Sequence, residues 1–232
     1  SDRARADGKN PIHPMKDSDI HAVIKILRRA TRQWRTPYVT ELSQRRREPF
    51  HILISTLLSL RTKDAVTSAA SQRLFALADT PAAMLKLTPR QIERAIYPVG
   101  FYRIKARTIL RVCRILLEQY DGRVPDEIDA LVKLPGVGRK TANLVVTLGY
   151  GKPGICVDTH VHRITNRWGY VQTKTPEQTE MALRAKLPRA YWIEINDELV
   201  ALGQNVCHPT SPRCSICPVR AYCDRVGVVR SR

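Results

Sequence analysis

In the stretch LPGVGRKTANLVV, residues 134–146, Lys140 follows two residues after the second of two glycines and precedes an apolar run. An amine in the first turn of a helix sits beside unpaired N–H donors and the positive end of the helix dipole. Those surroundings, with Arg139 as neighbour, favour a fraction of free amine able to attack an electrophilic carbon. Phosphate binding is the competing role, and composition alone prefers it. A complementary group follows in VDTH, where Asp158 stands 18 residues after Lys140. Asp158 reads first as the N-cap of the next helix; a carboxylate near an amine nucleophile would also move protons or stabilise a developing cation. The third feature is Cys207, Cys214, Cys217 and Cys223, spaced C-x6-C-x2-C-x5-C. Four thiolates so close in sequence can enclose Zn²⁺ or an iron–sulfur cluster, and the spacing leaves the two open.

These residues need elements to hold them. A short helix in VPDEIDALVKL, the turn LPGVG and the helix RKTANLVVTLGYG make a helix–hairpin–helix. Gly136 and Gly138 allow backbone angles and close approach that side chains forbid. The N–H groups of Val137, Gly138 and Arg139 then form a cradle for a phosphate, gripped without reading base sequence. Upstream, HAVIKILRRATRQW reads as an amphipathic helix, residues 35–50 as a basic loop, and PFHILISTLLSLRTKD as a helix apolar on nearly every side. Thr80-Pro81 and Thr88-Pro89 each start a short helix. In FYRIKARTILRVCRILLEQY, residues Ile104, Thr108, Val112, Ile115 and Leu116 share one sector, with an arginine stripe (Arg103, Arg107, Arg111, Arg114) elsewhere. Gly149, Gly151, Pro153 and Gly154 mark a domain crossing, and three further helices lead to the cysteines. No strand alternation is sustained, so the expected fold is all-α.

The 232 residues carry 39 Lys+Arg against 21 Asp+Glu, a net charge of +18. Such an excess favours polyanions, nucleic acid above all. Residues 50–60 are too short and too often interrupted by polar side chains to span a bilayer, and SDRARADGKN has no apolar signal core. The expectation is an intracellular protein, cytoplasmic or nucleoid-associated if bacterial, with no membrane partner. Clustered cysteines in such a chain read poorly as a disulfide framework.

Together, LPGVGRKTAN, VDTHVHR and the four cysteines resemble the endonuclease III family of helix–hairpin–helix DNA glycosylases. The similarity continues through TPAAML, GFYRIKA and CRILLEQ, over roughly residues 21–225. The resemblance implies two helical domains with a cleft between them: a flexible arm at 1–20, a six-helix domain at 42–152 holding the hairpin (about 125–148), and a cluster domain made of 21–41 and 153–232. It implies a monomer acting on double-stranded DNA that contains damaged bases or abasic sites. It decides the cysteines for a [4Fe-4S] cluster, with Arg213 and His208 in the first cluster loop near phosphate. Lys140 would attack the sugar, expel an oxidised pyrimidine and nick the strand by β-elimination, and Asp158 would assist. Asp64 and His160 are assigned to local structure. Two positions depart from the family pattern. Arg61 in LLSLRTKD stands where a glutamine usually fills the gap left by an extruded nucleotide, and Phe101 after Gly100 replaces an aliphatic wedge. Both departures bear on lesion range and opposite-base preference. The rival readings are a monofunctional glycosylase of the superfamily, which generally lacks the lysine, and a non-enzymatic helix–hairpin–helix DNA-binding module.

Overall fold

The computed structural model describes residues 15–34, 38–45 and 48–232, and among them every regular element is helical. The chain divides into two compact units, residues 36–156 and residues 1–35 with 157–232.

The unit 36–156 is built around α3 (Pro49–Ser59). Every residue from Phe50 to Leu58 is buried, as an all-round apolar helix requires. Before it, α2 (Tyr38–Arg45) occupies part of the segment expected to be a basic loop. Tyr38 and Val39 are buried, Leu42 packs beside them, and the Tyr38 N–H donates to Asp64 Oδ1 at 2.8 Å. Those partners lie on α3 and α4 (Asp64–Leu77), so the helix is stabilised by tertiary contacts that its own polar sequence conceals. α5 (Pro81–Met84) and α6 (Pro89–Ile96) begin as expected: Thr80 Oγ1 accepts from the Ala83 N–H, and Thr88 with Gln91 forms a reciprocal capping box.

α7 (Tyr102–Tyr120) buries Lys105, Ala106, Ile109, Val112, Cys113 and Leu116. Of the apolar sector, Val112 and Leu116 are buried but Ile104 is 62% exposed, while its neighbour Lys105 is only 9% exposed. The long lysine turns inward because the carbonyls at the end of α3 receive its ammonium. After α8 (Ile128–Leu131) and the hairpin, α9 (Arg139–Leu144) runs into a π-helical turn, Val145–Gly149.

In the second unit α1 (Asp19–Thr31) lays Ile20, Val23, Ile24 and Leu27 into a core shared with α10 (Thr159–Arg167), α11 (Pro176–Lys186) and α12 (Ile195–Asn205). Packing reaches back to Met15, which is 4% exposed, and Lys186 Nζ pairs with Asp17 at 2.9 Å. Residues 15–20 are therefore part of the packed unit rather than of an arm; residues 1–14 lie outside the described chain.

Candidate active site

The hairpin turns on Gly136, whose φ of +75° suits glycine and whose added Cβ would come 3.1 Å from Thr108 Cγ2. Gly138 has a different reason. Its backbone is extended (φ −91°, ψ 177°), and a Cβ there would meet no atom within 4 Å. No neighbour in the fold demands glycine at 138, and its missing side chain leaves the start of α9 open to another molecule. Val137 corrects the expected cradle: its side chain is 6% exposed and its N–H donates to Leu134 O at 3.2 Å. The open donors belong to the first turn of α9, which has no side-chain cap.

Lys140 is exposed on that turn, and among the described residues no acceptor or carboxylate holds its amine. The helix beneath it is anchored by Asn143, which is fully buried. Its amide donates to Arg139 O at 3.1 Å and its Oδ1 accepts from the Ile155 N–H at 3.1 Å. A Cβ on Gly154 would lie 2.8 Å from that oxygen, so glycine is required where the crossing segment meets α9. Sequence reasoning passed over Asn143, although it belongs to the quoted motif; its signal was a polar residue on an otherwise apolar face.

Asp158 lies in the other unit and caps α10. Its Oδ1 accepts from the N–H groups of His160 and Val161, both at 2.9 Å. His160 Nδ1 meets Arg163 Nη2 at 3.0 Å, and Asp64 accepts from Tyr38, so both residues serve local structure. Gly203 also went unnoticed: a Cβ there would sit 2.2 Å from His160 Nδ1, and glycine alone lets α12 approach α10.

Arg61 and Phe101 come together on the 36–156 unit. Both are exposed, both have left-handed backbone (φ 54° and 58°), and the Arg61 guanidinium lies 5.6 Å from the centre of the Phe101 ring. With Leu57, Ile104 and Gly136 they border an open cavity of about 310 Å³.

Cys207, Cys214, Cys217 and Cys223 line one common cavity, with exposed Arg213 at its edge. None is in a disulfide. Burial, reinforced by the neighbouring thiols, pushes Cys217 up to about 11 and Cys223 up to about 12. Thiolates there need a cationic group to offset them. Among the described residues no three His, Cys, Asp or Glu side chains are grouped closely enough to hold a metal ion. α10 braces this loop: Arg163 donates to Cys207 O at 2.8 Å, and Arg167 donates to Cys207 Sγ at 3.2 Å and to His208 O at 2.7 Å.

Comparison with known proteins identifies the family. The profile of the HhH-GPD superfamily of base excision DNA repair proteins matches residues 54–189, more than half of the chain. Endonuclease III of Thermotoga maritima is 49% identical over 177 residues, covering 76% of this chain and 83% of that protein. The mouse endonuclease III-like protein 1 is 45% identical over 177 residues, which cover 75% of this chain and 59% of the mouse protein. Among solved structures, a trapped endonuclease III–DNA covalent intermediate in an estranged-adenine complex superposes with a TM-score of 0.79 at 33% identity, over 90% of this chain and 95% of that one. The chain belongs to the endonuclease III family, within the HhH-GPD superfamily of base excision DNA repair proteins.

Proposed function

We propose that this protein is a bifunctional DNA glycosylase and abasic-site lyase that removes oxidised pyrimidines from duplex DNA, with Lys140 as nucleophile and Asp158 as its acid–base partner. The observation that carries the reading is the likeness, over nine-tenths of the chain, to an endonuclease III trapped as a covalent intermediate with DNA. Covalent capture needs a nucleophile, and Lys140 is an exposed amine, unheld by any described residue, on the uncapped first turn of α9.

The amine attacks the sugar C1′, and the C1′–N bond breaks as the departing base keeps the electron pair and takes up a proton. The sugar ring opens to an imine on Lys140 Nζ. Loss of a proton from C2′ then expels the 3′ phosphate as leaving group, which nicks the strand. Water hydrolyses the imine and restores the amine. Asp158 takes part through the charge of its carboxylate, stabilising the cationic sugar and relaying protons. Gly138 keeps side-chain bulk away from the open turn, so that a backbone phosphate can accept its N–H groups. Arg61 and Phe101 fill the space the extruded nucleotide leaves.

Cys207, Cys214, Cys217 and Cys223 would hold a [4Fe-4S] cluster, whose part is to cross-link a loop that buries little core of its own. Arg213, exposed in that loop, reaches phosphate, and the enzyme acts as a monomer.

Borohydride reduction of the imine tests the reading. Wild type should form a covalent adduct with abasic and thymine-glycol DNA, and Lys140→Gln should form none while binding the same DNA. Good binding without any wild-type adduct would overturn the lyase mechanism and leave a monofunctional glycosylase or a DNA-binding module.

A further inference from the structure

Lys105 is a buried cation outside the reaction just described, and all of its donors are engaged. Its ammonium has three N–H groups, and three oxygens surround it: Leu58 O at 2.9 Å, Leu60 O at 2.5 Å and Thr62 Oγ1 at 3.4 Å. The two carbonyls end α3, where unpaired acceptors and the negative end of the dipole favour a cation. Among the described residues no carboxylate pairs with Lys105. Burial lowers its pKa to about 8, so the three-donor form persists at neutral pH.

Thr62 passes this connection on. Its hydroxyl accepts from the Gly100 N–H at 3.0 Å and donates toward Leu60 O at 3.3 Å. The two loops also touch through their backbones, because a Cβ on Gly100 would lie 2.6 Å from Arg61 O. Lys105 itself starts from the second loop, its N–H donating to Phe101 O at 2.9 Å. One cation and one hydroxyl therefore join loop 60–63 to loop 97–101, and each loop carries at its tip an exposed side chain on left-handed backbone. For a side-chain-bearing residue that conformation costs on the order of 1 kcal/mol or more and persists only where neighbours enforce it.

We infer that Lys105 and Thr62 are positioning residues that lock the Arg61 and Phe101 loops into one rigid two-pronged wedge for entry into the DNA stack. The inference rests on the glycosylase/lyase reading and adds a specificity device to it. A wedge of fixed spacing inserts both side chains at once and does not spend binding energy on ordering two loops. Its benefit is confined to DNA that has a stack to open.

The experiment compares one abasic site in duplex and in single-stranded DNA, with borohydride-trapping rate as the readout. Thr62→Val removes the bridging hydroxyl at nearly constant volume, Lys105→Met removes the cation, and Thr62→Ser restores the hydroxyl. Each of the first two should slow trapping on duplex about tenfold, the loss of a hydrogen bond or more, while the single-strand rate stays within about twofold. Thr62→Ser should behave as wild type. Thr62→Val should add little to Phe101→Ala, because both act through the same prong. Equal losses on duplex and single strand, additive effects with Phe101→Ala, or no loss at all would overturn the inference. So would unfolding of both variants by circular dichroism, since the link would then carry the fold and not the wedge. Absence of any wild-type adduct on either DNA would instead strike the lyase reading beneath it.

Discussion

Asp158 holds two backbone N–H groups with one oxygen, and among the described residues no donor holds the other. One carboxylate can thus serve the fold and the chemistry at the same time, and substitutions can separate the two. Asparagine caps a helix about as well as aspartate but carries no charge, whereas alanine provides neither cap nor charge. Asp158→Asn should keep the thermal midpoint close to wild type and slow base release. Asp158→Ala should lose about 1 kcal/mol of stability as well. Thermal melts beside single-turnover glycosylase rates check both; a destabilised Asn variant with normal rate would reduce Asp158 to a cap. Lys140 gives the opposite case. It is exposed and no described partner holds it, so Lys140→Gln is expected to remove the chemistry and leave the fold intact.

At the scale of elements, α10 connects two features that look independent in sequence. Its first turn is capped by Asp158, and Arg163 and Arg167 farther along hold Cys207 and the loop that follows. The purified protein should be brown and hold about four iron atoms per chain. Cys214→Ser should lose the colour and make residues 207–226 sensitive to protease; a colourless native protein loaded with zinc would reject the cluster. The elements also divide by how openly the sequence announces them. Thr80-Pro81, Thr88-Pro89 and Asp158 were legible because a cap is a local bargain between a side chain and the next three N–H groups. α2 was not, since Tyr38 and Val39 become an apolar face only once α3 and α4 lie beside them. Ile104 and Lys105 exchanged roles for a similar reason: the acceptors that draw Lys105 inward lie 45 and 47 residues away. Asn143, Gly154 and Gly203 act through contacts between elements, so motif reading singled out Lys140 and Asp158 and overlooked the residues that seat their helices.

For the whole molecule, the decisive quantity is the excess of cations. A net charge of +18 belongs to the chain before any ligand is bound. Several of these cations are tied into the fold: Arg73 donates to the carbonyls of Ala95 and Tyr97, Arg167 to the cysteine loop, and Arg28 to Glu194. Others, such as Arg107, Arg111 and Arg114 along α7, are exposed with no described acid partner. Cations of the second kind displace counterions from DNA, and each phosphate neutralised contributes about 0.9 to the slope of log affinity against log salt. A footprint of four or five phosphates should therefore give duplex binding a slope of about −4. Binding titrations between about 50 and 200 mM salt would then record a loss of roughly two orders of magnitude or more. Lys140→Gln should shift this slope by no more than about one unit, the share of a single charge. A nearly flat response would mean that the excess charge is solvated on faces DNA does not reach. Affinity would then have to come from the hairpin and the wedge alone, through contacts that salt screens little.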